Sequence, residues 1–341
     1  MNDAAITELS STDLQQRIER FHTVRDRIME QVRKVIVGQD EVLEQILIAL
    51  FVGGHCLITG LPGTAKTLMV RTIAQTLGLE FRRIQFTPDL MPADITGTDI
   101  IEEDATTGHR RWTFVRGPIF GNVVLADEIN RTPPKTQSAL LEAMQEFSCT
   151  VRGNVYQLPR PFFVLATQNP IELEGTYPLP EAQLDRFLFN TVLDYLSAEE
   201  EARVVDQTTT TRTTEIEAVT NSAELLDIQK LVRMVPIGES VARYAVELVR
   251  ATRFKNPTAP EIVKKYVSYG ASVRAAQFIV LGAKARALAH RRYHVTYDDI
   301  TSLVIPTLRH RVLLNFHAES ARIDSEEILR QLIAKVPPPR A

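Results

Sequence analysis

Gly60-Leu61-Pro62-Gly63-Thr64-Ala65-Lys66-Thr67 sets two glycines, a lysine and two hydroxyls in one short run. Between a strand and a helix, such a Gly-x-x-Gly-x-x-Lys-Thr run lets successive backbone N–H groups and a helix N-terminus converge on a phosphate. Lys66 would reach the β- and γ-phosphates of ATP, and the Thr67 hydroxyl would bind Mg²⁺. The candidate nucleotide-binding set is therefore Gly60, Pro62, Gly63, Thr64, Ala65, Lys66, Thr67 and the adjoining Leu68. Ala65 stands where the usual pattern has glycine. The plainer reading, a Gly/Pro turn followed by a helix with a lysine near its start, leaves the strand-and-helix setting without a purpose.

Val123-Val124-Leu125-Ala126-Asp127-Glu128 is a buried strand ending in two carboxylates. Asp127 would hold the Mg²⁺, and Glu128, one residue further out, would polarise an attacking water as general base. Alone, the pair would read as an exposed acidic strand end. Thr167-Gln168-Asn169-Pro170 closes another apolar run, so its polar side chains emerge along the same sheet edge, where open α/β sheets bind ligands. Asn169 is suited to orienting the water.

These residues need a scaffold. Apolar runs at 55–59, 82–86, 123–126 and 162–167 predict strands buried on both faces, hence a parallel sheet with helices on either side. Helices are expected at 12–35, 41–52, 66–77 and 134–146. Thr208-Thr209-Thr210-Thr211, within 207–222, reads as a linker. Helical periodicity at 223–235, 238–253, 259–266, 273–290 and 297–303 predicts a second, all-helical domain. The division is an N-terminal helical extension (1–35), an α/β core (36–206), the linker, a helical domain (223–335) and a loose proline tail (336–341). Hairpin alternation marks 100–118, with Gly108 between polar residues, and 149–157, with Gly153-Asn154 at a tight turn. Trp112, in the first hairpin, reads as a packing residue or a substrate contact, with packing favoured.

Composition narrows the function class. The chain has 341 residues, 44% hydrophobic and 24% charged, which suits a globular protein of two domains. A net charge of -3 lacks the basic footprint of a nucleic-acid binder. Cys56 and Cys149 are the only cysteines and lie far apart, so a reducing cytoplasm is expected. The run 46–52 is too short to span a bilayer, and residues 1–11 have no basic start leading into an apolar stretch, so no membrane insertion or secretion is expected.

Taken together, the blocks resemble AAA+ ATPases, and most closely the MoxR branch. The carriers are Gly38-Gln39-Asp40, the 60–67 loop with its Ala65, Gly117-Pro118-Ile119-Phe120, and Leu125 through Arg131. Pro133 through Gln137, Ala166 through Pro170 and Leu179-Pro180-Glu181-Ala182-Gln183-Leu184-Asp185-Arg186-Phe187 add to them. The resemblance implies a P-loop α/β core with a C-terminal helical lid, assembled as a ring, commonly a hexamer, with ATP between subunits. It implies that Asn169 is the sensor 1 residue and Arg186 the arginine finger, with Arg116 and Arg131 as rivals. It further implies that Arg274, in Gly270-Ala271-Ser272-Val273-Arg274-Ala275, is sensor 2 over the phosphates, and that Gly38 and Gln39 line the adenine pocket. The two hairpins correspond to the helix-2 insert and the pre-sensor-1 hairpin.

The implied role is a chaperone or remodeller that matures a protein complex, often inserting a metal or cofactor, with a von Willebrand factor A-domain protein as partner. The residues name no client. A nucleic-acid motor or loader, a chelatase-like metal-insertion motor and a scaffold gated by ATP without turnover are the alternatives. Nucleic acid is disfavoured by charge. Glu128, Asn169, Arg186 and Arg274 together argue against the scaffold.

Overall fold

A computed structural model describes residues 11–103, 110–170, 175–210 and 214–339. Helix α1 (Ser11–Arg33) buries Phe21, Val24, Ile28 and Val32, spaced three and four apart as an amphipathic helix requires. Helix α2 (Asp40–Val52) is apolar nearly all round and is buried accordingly. Strand β1 (Cys56–Gly60) then feeds the glycine loop, and α3 (Lys66–Thr76) leads to β2 (Phe81–Gln85). A short α4 (Pro92–Thr96) precedes an antiparallel hairpin, β3 (Gly97–Glu103) with β4 (Arg110–Arg116). Next come β5 (Val123–Asp127), α5 (Pro134–Glu146), a second hairpin of β6 (Ser148–Val151) and β7 (Asn154–Gln157), and β8 (Phe163–Gln168). The first half closes with α6 (Glu181–Leu184), β9 (Phe189–Leu193) and α7 (Ala198–Thr208).

The five strands β2-β5-β8-β1-β9 form one sheet, and every pair is parallel. All the loops that follow these strands therefore emerge at one edge. Alternation sends successive side chains to opposite faces. Cys56, Ile58, Val123, Leu125, Phe163 and Leu165 join one apolar cluster with α1, α2 and α3. Leu57, Val124, Ala126, Val164 and Ala166 join another with α5.

The strand at 82–86 is not buried on both faces, because β2 is an edge strand with Arg82 and Arg83 exposed. A fifth strand, β9, which no apolar run announces, lies at the other edge, pairing with β1 from Cys56↔Phe189 to Gly60↔Leu193.

The C-terminal half consists of α8 (Ser222–Met234), α9 (Glu239–Ala251), α10 (Glu261–Tyr266), β10 (Val267–Tyr269), α11 (Val273–Ala289), α12 (Tyr297–Leu308), β11 (Leu313–Leu314), α13 (Phe316–Ala321) and α14 (Ser325–Lys335). Its apolar residues belong to the same cluster as α1, α2 and one face of the sheet, so the helical half packs directly on the core. At Gly282 in α11 an added Cβ would come within 2.9 Å of Leu303 and 3.1 Å of Phe189, which is why the helix can lie so close to α12 and β9. Asp299 in α12 is fully buried and accepts from Arg286, Arg292 and the Thr296 backbone. Helix α1 bridges the halves through Arg17–Asp227 (2.7 Å) and Arg20–Glu224 (2.5 Å).

Part of the expected linker is packed rather than loose. Val219 N–H donates to the Thr76 carbonyl at 2.7 Å. Residues 211–213 of that linker, Gly108 of the first hairpin and the ends 1–10 and 340–341 lie outside the described residues. Val336, at the start of the proline tail, accepts at its carbonyl from the Tyr244 hydroxyl at 2.9 Å. No described helix is long and apolar enough to cross a membrane.

Candidate nucleotide site

The glycine loop wraps as its composition dictates. Gly63 takes φ +82°, and an added Cβ at Gly60 would lie 2.9 Å from the Leu193 carbonyl oxygen, so glycine seats the loop's start against β9. Ala65 takes φ 58°, ψ 23°, the left-handed geometry that glycine fills without penalty and that costs alanine about 1–2 kcal/mol. That turn releases α3, whose first N–H groups receive no side-chain cap. Thr64 Oγ1 donates to the Leu61 carbonyl at 2.8 Å, and Lys66 Nζ to the carbonyls of Gly60 (2.5 Å) and Leu61 (2.9 Å).

Beside the loop, Asp127 and Glu128 leave the end of β5, and Thr167 and Asn169 the end of β8. Parallel register (Ala126↔Ala166) sets the two ends level. Thr167 Oγ1 donates to Asp127 Oδ1 at 2.6 Å and accepts the Glu128 backbone N–H at 2.8 Å. Glu128 itself sits at φ 58°, ψ 48°, a strained conformation that the Thr167 bond holds. Gln85 Nε2 donates to Glu128 Oε2 at 2.8 Å, and Arg131 Nη1 lies 3.2 Å from the same oxygen. Arg83 donates to Asp127 Oδ2 at 2.7 and 3.0 Å. Arg131, a rival for the finger, thus faces its own chain's Glu128.

One cavity of about 470 Å³ is lined by Pro62, Gly63, Thr64, Ala65, Lys66, Thr67, Leu68, Asp127, Glu128, Thr167 and Asn169. Gly60 is not in its wall; it serves the loop through packing and its carbonyl. The donor set fits a small hard cation shared with phosphate: one carboxylate, Asp127, and one hydroxyl, Thr67, with the remaining positions left to phosphate oxygens and water.

The other predicted residues lie elsewhere. Gln39, itself left-handed at φ 59°, donates to the Asp194 carbonyl at 2.9 Å and lines a cavity of about 550 Å³ with Val42, Val192, Tyr195, Ile305 and Pro306. Gly38 packs under Glu200, whose carboxylate would stand 2.4 Å from an added Cβ. Leu193 therefore packs on the start of the phosphate loop, while its neighbour Asp194 accepts from Gln39. Arg186 is half-buried and donates from Nη1 to the Leu141 carbonyl. Arg274 is not in the phosphate cavity; its guanidinium lies 3.5 Å from Asp185, which also accepts from Ser272 (3.1 Å) and Arg311 (2.8 Å). The structure thus brings Arg274 to the residue preceding Arg186.

The hairpins meet one another. Phe114 and Tyr156 stack at 4.0 Å, and the Arg152 guanidinium covers one face of Trp112 at 4.5 Å, while Trp112 is otherwise exposed. The second turn falls on Arg152-Gly153 (φ 49° and 83°), one residue earlier than expected.

Sequence reasoning missed the roles of Thr167, Gln85 and Arg83. A period-two signal was available for Thr167, which shares parity with Asn169. None was available for the other two.

Residues 55–189 match the model described as "ATPase family associated with various cellular activities (AAA)", and 259–332 match the AAA lid domain. The Bacillus subtilis uncharacterised protein YeaC is 43% identical over 322 residues, 94% of this chain and 97% of that one. Chaperone MoxR1 of Mycobacterium tuberculosis is 41% identical over 319 residues, covering 94% of this chain and 83% of that one. The crystal structure of a proposed ATPase from Cytophaga hutchinsonii superposes with a TM-score of 0.89 at 41% identity, covering 96% of this chain and 99% of that chain.

Proposed function

The chain belongs to the MoxR family of AAA+ ATPases, and from that premise we propose that it is an ATP-hydrolysing subunit of a homo-oligomeric ring, most simply a hexamer, that remodels a protein client. One observation carries the hydrolytic part: the phosphate loop, Asp127, Glu128, Thr167 and Asn169 line a single cavity. Lys66 exchanges its loop carbonyls for β/γ-phosphate oxygens, while loop N–H groups and the start of α3 hold the α- and β-phosphates. Thr67 and Asp127 hold Mg²⁺, which when bound neutralises phosphate charge. Glu128 takes the proton of the attacking water, Asn169 orients that water, and Gly38 and Gln39 border the adenine site.

Arg186 and Arg274, which share one edge through Asp185 and leave the chain's own phosphate cavity open, serve a neighbour's nucleotide. A fixed guanidinium there stabilises the transferring phosphoryl group. The core spans 36–206 and the lid 223–335, with α1 covering both. By family, the client is a protein complex matured in the cytoplasm, with a von Willebrand factor A-domain protein as partner.

Turnover per subunit should rise steeply with protein concentration as rings form; constant specific activity down to dilutions at which sizing shows only monomer would contradict the ring. ATPase stimulation by DNA or RNA that salt abolishes would favour the nucleic-acid reading instead.

A further inference from the structure

We propose that Arg311, a lid residue outside the phosphate cavity, is a positioning residue that aims the arginines offered to the neighbouring subunit. This rests on the reading of Arg186 as a residue acting across the subunit boundary. The Arg311 side chain is 2% exposed, and a guanidinium carries five N–H donors in a rigid fork. Five oxygens receive it, and His310 Nε2 lies 2.7 Å from Nη1. Nε donates to Asp185 Oδ1 at 2.8 Å; Nη2 donates to the carbonyls of Asp185 (2.9 Å) and Phe187 (2.5 Å); Nη1 donates to those of Leu188 (3.3 Å) and Thr307. Three of the four carbonyls belong to 185–188, the segment that carries Arg186. His310 Nε2 also lies 3.2 Å from the Phe187 carbonyl.

The lid thus grips the backbone on both sides of Arg186, and through Asp185 it also holds the guanidinium of Arg274. A buried, fully donating arginine spanning lid and core fixes direction far better than it adds stability, since desolvation offsets much of its attraction. Lysine could not replace it: three donors at a point cannot serve five acceptors set around a plane. Any lid rotation that shifts Arg311 shifts 185–188 with it, so the lid of one subunit sets the reach of that subunit's arginines into the next site.

The test uses mixed rings. Arg311→Met rings should bind a non-hydrolysable ATP analogue within about two-fold of wild type yet lose about 10- to 100-fold in kcat, the cost of misplacing a reacting group by about an ångström. Arg311→Lys should recover only part of the loss. Mixing Arg311→Met subunits with Glu128→Gln subunits, whose arginines are intact, should restore turnover several-fold above the average of the two homomeric rings. Arg186→Ala mixed with Glu128→Gln is the parallel control. If the control complements and the Arg311 mixture does not, Arg311 acts inside its own subunit and the proposal falls alone. If the control fails to complement, the trans reading of Arg186 falls and takes the proposal with it. Should Arg311→Met fail to fold, Asp185→Ala, which removes both the acceptor for Nε and the carboxylate facing Arg274, must show the same binding-neutral drop and the same complementation; wild-type kcat in Asp185→Ala overturns the proposal.

Discussion

Thr167 Oγ1 lies 2.6 Å from Asp127 Oδ1, donating to it while accepting the backbone N–H of Glu128 at 2.8 Å. One buried hydroxyl thus fixes the proposed metal ligand and the strained backbone of the proposed base. Thr167→Val keeps the shape and removes both bonds. It should lower kcat about 10-fold or more and cost about 1–3 kcal/mol in a urea melt, the penalty for leaving buried partners unmet. Unchanged kcat would show that Glu128 holds its geometry without Thr167.

Ala65 at φ 58° turns the chain into α3 against its own preference. Ala65→Gly should keep nucleotide affinity and raise stability by less than about 1 kcal/mol, the relieved strain being partly offset by glycine's greater unfolded entropy. Equilibrium unfolding measures this; a loss of nucleotide affinity would mean that the alanine methyl contacts the ligand.

The phosphate loop and β1, β5 and β8 were legible because each is a local pattern: an apolar run that ends in polar residues. Arg83 and Gln85 were not, because they reach the site only through the pairing Gln85↔Asp127, which joins segments 42 residues apart in sequence (127 − 85). Strand β9 was missed for a related reason. Its exposed Val192 and half-buried Asn190 blur the buried-strand pattern, and only contact with β1 defines it. Arg274 matched a motif, but the motif did not carry the lid's orientation, which sets it beside Asp185 rather than in the phosphate cavity.

Asp299 is fully buried against Arg286 and Arg292. Asp299→Ala strands two arginines in the lid and should cost about 3–5 kcal/mol. Thermal or urea unfolding would register it as a large drop in midpoint. A change under about 1 kcal/mol would mean that solvent reaches the arginines freely.

His55 sits immediately before β1, its Nδ1 accepting from Val164 N–H (3.0 Å) and its Nε2 3.1 Å from the Met144 carbonyl, so Nε2 carries the proton and the ring is neutral. Burial pushes its pKa down from 6.5 to about 4. His310, also buried, is pushed the same way, chiefly by burial and then by Arg311. A depressed histidine lets the unfolded chain bind protons first, so this stability is complete above pH 6.5 and is lost as pH falls towards 4. Tm should therefore fall progressively through that window. A flat Tm from pH 7 to 4.5 would mean that both rings take up a proton in the folded state.

Glu128→Gln tests the central claim most directly, because it removes the base and keeps the side chain's size. The purified variant should bind ATP as tightly as wild type while hydrolysing it at least about 100-fold more slowly, the range expected for a lost general base. Wild-type turnover in Glu128→Gln would contradict the assignment of hydrolysis to this cavity.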